Sequence, residues 1–149
     1  MENFVTAENV FIDCDVHTRD EALAFIAQAA LDLGVANDKQ AVLDAFLARE
    51  AEGTTGMMGG FAIPHAKSAA ITDAKVVVVK FSDTVEWESM DGEPIRVAIA
   101  LLVPEAEMGT THLKLLSNVA VMLMDDEFKT HVLQSNDAAQ VAAEISGRL

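Results

Sequence analysis

Lys75-Val76-Val77-Val78-Val79-Lys80-Phe81 is the stretch that most restricts what this chain can become. Valine is stiff at its β-carbon and favours extended backbone. An unbroken apolar run puts hydrophobic groups on both sides of a strand, so the strand must be covered on both faces. Ile95 to Val103 is a second such run, stopped by Pro104. Neither run is long enough to cross a bilayer. A chain of 149 residues therefore has to supply helices for two faces of one sheet, and that length suits one domain, taken here as 1–149.

Those helices are legible. Thr18-Arg19-Asp20-Glu21 has capping-box spacing, Ala22, Ile26, Ala29 and Leu33 follow at helical intervals, and Gly34 supplies a stop. A second helix is expected from Asn37, with Gln40 in the reciprocal position, through Val42, Ala45 and Phe46 to Arg49 or Glu50. Thr110 or Thr111 is expected to cap a third, carrying Leu113, Leu116, Val119, Ala120 and Leu123. Asp125-Asp126 interrupts it, a short helix follows through Phe128 and Val132, and Asn136 or Asp137 opens a last one to Ile145. Val10 to Ile12, Phe61 to Ile63 and Val85 to Trp87 read as further short strands, and Met90 to Glu93 as a turn. Interleaved helices and strands give an α/β fold class. An antiparallel hairpin over Trp87 to Val103 would make the sheet mixed.

Composition narrows the functions. Apolar residues at 51% with three prolines exclude a disordered chain. The formal charge of −14 excludes nucleic acid as a partner, because phosphate backbones need clustered Lys and Arg, and disfavours anionic membrane surfaces. The N-terminus lacks the basic and apolar regions of a secretion signal. The single Cys14 cannot pair within the chain, which fits a reducing compartment. A cytoplasmic protein with no direct membrane insertion is expected.

Four histidines carry the candidate chemistry. His17 and His131 lie in charged, polar surroundings and read as surface residues. His65 follows Phe61-Ala62-Ile63-Pro64, where proline, unable to donate a ladder hydrogen bond, is expected to close the strand and leave His65 at its stiff end. His112 falls in the first turn of the third helix, where the macrodipole favours a neutral imidazole and the free N–H groups favour an anion. No histidine pair has zinc spacing, no Gly-x-Ser-x-Gly elbow occurs, and the glycine-rich Gly53 to Gly60 loop lacks the Lys-Ser/Thr of a P-loop. No metal and no cofactor is expected. What remains is nucleophilic catalysis by imidazole, with a phosphoryl group on His65 surrounded by Arg49, Thr54, Thr55, Lys67, His112 and loop N–H groups as possible donors.

Taken together, Arg49-Glu50, Thr54-Thr55-Gly56, Gly60-Phe61-Ala62-Ile63-Pro64-His65 and His112-Leu113-Lys114-Leu115-Leu116 resemble the fructose/mannitol-type enzyme IIA domain of the bacterial phosphoenolpyruvate-dependent sugar phosphotransferase system. The resemblance runs through Trp87 and Asp91-Gly92 and covers nearly the whole chain. It implies an α/β sandwich, a mixed sheet flanked by helices, and a phosphotransferase acting through phosphohistidine. By the same resemblance His65 accepts phosphate from the carrier HPr and passes it to an enzyme IIB, and His112 hydrogen-bonds the phosphoryl group. Arg49 orients the site and Thr54 supplies a small hydroxyl, although helix capping by Arg49 and a turn at Thr54 explain those residues equally well. Met57-Met58 and Ala66-Lys67 depart from the smaller residues the family pattern has there. A regulatory relative of the nitrogen-branch type, in which the same histidine switches protein binding, is the alternative.

Overall fold

The computed structural model describes residues 4–107 and 110–149. After a single 3-10 turn at Ala7–Asn9, the chain runs through β1 (Val10–Cys14), α1 (Arg19–Asp32), α2 (Lys39–Ala51), β2 (Phe61–Ala62), β3 (His65–Ser68), β4 (Lys75–Val85) and β5 (Ile95–Pro104). Three helices follow: α3 (Thr110–Met122), α4 (Asp126–Gln134) and α5 (Ala138–Ser146). The five strands form one mixed sheet in the order β1-β4-β5-β2, with β3 continuing along β5. The fold class is α/β, as the sequence implied.

The valine run behaves as its composition demands. Val77 and Val79 join Leu23, Ile26, Val42 and Phe46 of α1 and α2 on one face. Val76 and Val78 join Leu115, Val119, Phe128 and Ile145 of α3, α4 and α5 on the other. β5 divides the same way, with Ala98, Ala100 and Leu102 on the first face and Val97, Ile99 and Leu101 on the second. Strands β4 and β5 are antiparallel, Val78 opposite Ile99, so the hairpin begins at Lys75 instead of Trp87 and the sheet is mixed. Of the short strand expected at Val85 to Trp87, only Val85 belongs to a strand, as the end of β4, while Glu86 makes an isolated bridge to Thr18.

Lys80 sits inside this run yet is only 7% exposed. Its Nζ donates to the carbonyls of Leu133 and Ser135 at the C-terminal end of α4. These are the carbonyls a helix leaves without intrahelical partners, and a cation is favoured there. Burial pulls the Lys80 pKa down, with Asp13 opposing.

The caps are close to expectation. Thr18 and Glu21 form a complete capping box on α1. α2 is capped by Asp38, whose carboxylate accepts from Ala41 N, and not by Asn37. The Asp38 side chain is one residue nearer the helix and provides the same short oxygen acceptor. Asp125 and Asp137 cap α4 and α5. The capping expected of Thr110 or Thr111 lies outside the described side chains. No helix among the described residues is long and apolar enough to cross a membrane.

The first edge strand does stop before Pro64, as expected, and the correction concerns His65. Phe61 pairs with Val97 and Ala62 with Ala98, then His65 pairs with Leu101 and Lys67 with Val103. The offset is 36 residues at each of these positions (97 − 61 and 103 − 67), so β2 and β3 are one parallel edge path that passes through Ile63 and Pro64 without a slip. Proline omits its own donor, but its carbonyl still accepts from Leu101 N. His65 therefore opens the second half of a strand instead of ending the first.

Ile99 is fully buried under α3 to α5. Ile99→Ala is expected to lower unfolding free energy by about 2–5 kcal/mol in urea titration, with the slope of the transition unchanged.

Candidate functional site

The strand fixes the His65 backbone, and two hydrogen bonds fix its ring. Ring atom Nδ1 lies 3.1 Å from the carbonyl oxygen of Ile63, two residues earlier on the same face. Ring atom Nε2 lies 2.9 Å from Arg49 Nε. A guanidinium nitrogen can only donate and a carbonyl can only accept. Nε2 must therefore carry the lone pair and Nδ1 the proton, so the imidazole is neutral and its tautomer is determined. The side chain is only 8% exposed.

Arg49 comes from the last turn of α2, which packs beside β3. Its Nη1 donates to Gly53 O at 2.7 Å, just beyond the helix end. The arginine thus does two things at once, tying down the loop after α2 and touching the histidine.

The third member arrives from the opposite face. His112, in the first turn of α3, sets its ring edge-on to His65 with centroids 5.4 Å apart and planes at 66°. Both imidazoles are held below the ordinary histidine range. Burial is the main cause for His65; the Ile63 carbonyl pulls the other way, and Arg49 and His112 push it further down. Burial also leads for His112, followed by the positive charges of Lys67 and Arg49.

Thr54 enters by another route. Its hydroxyl donates to Glu88 O at 2.6 Å and accepts from Gly56 N at 3.1 Å, so both functions serve the loop. Gly56 bridges to Ala62 and to Ser89, and a Cβ there would run into the Glu88 carbonyl. Glycine is required by that close approach.

Beneath the loop lies a group that sequence reasoning named but gave no role. Glu50, next to Arg49, is buried, and its carboxylate accepts from Thr55 N (3.2 Å), from the Thr55 hydroxyl and from Trp87 Nε1 (3.2 Å). Three donors satisfy a carboxylate that burial would otherwise penalise. The signal was the solitary tryptophan, whose N–H needs a partner when buried. His17 and His131 lie apart from the site, paired with Asp15 and Glu144 respectively. Met57 packs against the α3 face and Met58 is exposed.

The depressed histidines set a direction for pH. In the unfolded chain each titrates near ~6.5, above its folded value, so below that pH the unfolded chain binds more protons. Their contribution to stability is full above about pH 6.5 and is lost as pH falls through the folded values. On acidification from about pH 7.5 to 5.5, the urea midpoint of the wild type is expected to fall further than that of His65→Gln. An equal fall in both would remove His65 from the effect.

Comparison with known proteins identifies the family. Residues 3–147 match the family model described as phosphoenolpyruvate-dependent sugar phosphotransferase system, EIIA 2. The chain is 34% identical over 124 residues to the PTS system fructose-specific EIIA component of Haloferax volcanii, covering 83% of this chain and 80% of that one. It is 32% identical over 139 residues to a nitrogen regulatory protein of Bradyrhizobium diazoefficiens, covering 93% and 90%. The chain also matches longer EIIABC components, of which it spans 18% and 16%. Among solved structures it superposes with a TM-score of 0.80 on the complex of enzyme IIA-mannitol and phosphorylated enzyme IIB-mannitol from Escherichia coli, at 19% identity and covering 97% and 98%. The chain belongs to the EIIA type 2 family of the phosphoenolpyruvate-dependent sugar phosphotransferase system, and is a phosphoryl-transfer component of that kind.

Proposed function

We propose that this chain carries a phosphoryl group on Nε2 of His65, taken from phospho-HPr and handed to an enzyme IIB that serves sugar uptake. The observation that carries the reading is the paired constraint on the ring: Nδ1 tied to Ile63 O and Nε2 facing Arg49. A neutral imidazole with its lone pair on a defined atom is a nucleophile ready at neutral pH.

In the transfer, the Nε2 lone pair forms the new N–P bond. The N–P bond to the donor's histidine breaks, and its electron pair returns to the donor ring nitrogen. The proton on His65 Nδ1 stays against the Ile63 carbonyl, which steadies the positive character the ring acquires. Arg49 leaves the lone pair as phosphorus approaches and turns its guanidinium to the phosphoryl oxygens, a charge-assisted contact for which its planar fork is suited. His112, kept neutral, donates to another of those oxygens. Thr54 and Glu50 act through the loop, by holding its backbone still.

The fructose-specific relative supports the transport reading, and a IIA–IIB complex shares the fold. The nitrogen regulatory relative supports a second reading, in which phospho-His65 switches binding to other proteins. The two separate downstream: transport requires that label leave His65 for a IIB, whereas a regulator keeps it and changes partners.

Radiolabelled phosphoenolpyruvate supplied with enzyme I and HPr is expected to label the wild type with an acid-labile group and to leave His65→Ala unlabelled. His112→Ala is expected to accept label about ten to a hundred times more slowly. Label on His65→Ala would place the acceptor elsewhere, and unaltered transfer in His112→Ala would end the role given to His112.

A further inference from the structure

We propose that Lys67 is a direct ligand of the phosphoryl group, an additional cation that contacts its oxygens while the group is on His65 Nε2. The inference rests on the phosphocarrier reading above and adds a residue to it.

The argument starts from register. Because the edge path keeps one offset through Pro64, side chains alternate without interruption from Phe61 to Lys67. Phe61 and Ile63 are on the α3 face, as is Leu101, the partner of His65. Ala62 and Ala66 are on the α2 face. His65 and Lys67 therefore share the α3 face, about 6.6 Å apart along the strand. His112 packs on His65 from that face. The three residues converge on one side of an edge strand, at its border with solvent.

Lys67 is exposed, and among the described residues it forms no ion pair. On a chain of formal charge −14 an unpaired ammonium beside the reacting histidine is notable, since carboxylates are abundant. Arg49, by contrast, has Nη1 committed to Gly53. The flexible stem of Lys67 lets its ammonium follow a phosphoryl group from donor to His65 and on to the acceptor. Its charge already reaches His112, where it is the leading charge effect on that ring. A phosphoryl group bears close to two negative charges. Arg49, His112 and Lys67 would approach it from three directions, and the placement suits a charge that develops outside the buried ring.

The test uses two donors. Phospho-HPr, generated from labelled phosphoenolpyruvate and enzyme I, reports the protein-to-protein reaction. Phosphoramidate, a small donor that leaves as ammonia when its P–N bond breaks, phosphorylates histidine with no partner surface involved. His65→Ala controls for the site in both arms. Lys67→Gln is expected to slow labelling roughly tenfold with either donor. With phospho-HPr the loss should fall on kcat, persist at high salt, and be largely restored by Lys67→Arg.

Wild-type rates for Lys67→Gln with both donors would overturn the proposal. So would a loss seen only with phospho-HPr, confined to KM and abolished by salt, because that is steering of the partner at a distance. Labelling by phosphoramidate without labelling by phospho-HPr would refute the donor assigned above and leave the Lys67 comparison intact. Lys67 is exposed, and coincident thermal unfolding of the variants checks that the fold is unchanged.

Discussion

Two adjacent strands buried on both faces dominate this molecule. Once β4 and β5 are committed to the centre, each face needs helices, and the chain provides two before the strands and three after them. The edges follow from that commitment. β1 is paired to one side of β4, and the path from Phe61 to Ser68 to the far side of β5. His65 is thus placed on an edge whose register is set by the hydrophobic alternation of its neighbours. A one-residue slip would send His65 to the α2 face and Ala66 to the α3 face. The apolar pattern of a central strand thereby decides which way the His65 ring points.

The site combines opposing demands. In the proposed transfer the histidine has to be neutral, while the group it would accept is strongly anionic and needs cations nearby. Burial and adjacent positive charge both disfavour the imidazolium, so the Arg49 proposed to meet the phosphoryl oxygens also keeps the His65 ring neutral. His112 is under the same pressures. Cations that would be costly next to a protonated histidine are harmless next to a neutral one. Glu50 opposes them, its charge raising the His65 pKa, although its carboxylate is also engaged by Thr55 and Trp87.

Much of this was legible in the residues. Apolar continuity gave the strands, capping chemistry gave most helix starts, and the proline-histidine pair singled out His65. What failed was local. Pro64 does lie in the break between β2 and β3, but the pairing with β5 resumes beyond it at the same offset, so His65, expected to end a strand, opens one. Asn37 lost the cap of α2 to the adjacent Asp38, a shift that side-chain type alone does not decide. The Arg49–His65 contact and the burial of Glu50 depend on how α2 lies against β3, and helix docking leaves no mark in spacing. Lys80 is the clearest case: a lysine within a valine run gives no hint that a helix end will arrive to receive it.

The single tryptophan acquires an optical meaning from its position. The indole of Trp87 is buried and bonded to the carboxylate of Glu50, the residue next to Arg49 on the final turn of α2. Under the function proposed above, that arginine exchanges an imidazole for a phosphoryl group, the charge distribution within a few residues of the indole changes, and indole emission follows the local electric field. The chain therefore contains its own fluorophore for occupancy of the site. On that reading, loading and unloading can be followed in real time on unlabelled protein, with no competing tryptophan signal from elsewhere in the sequence.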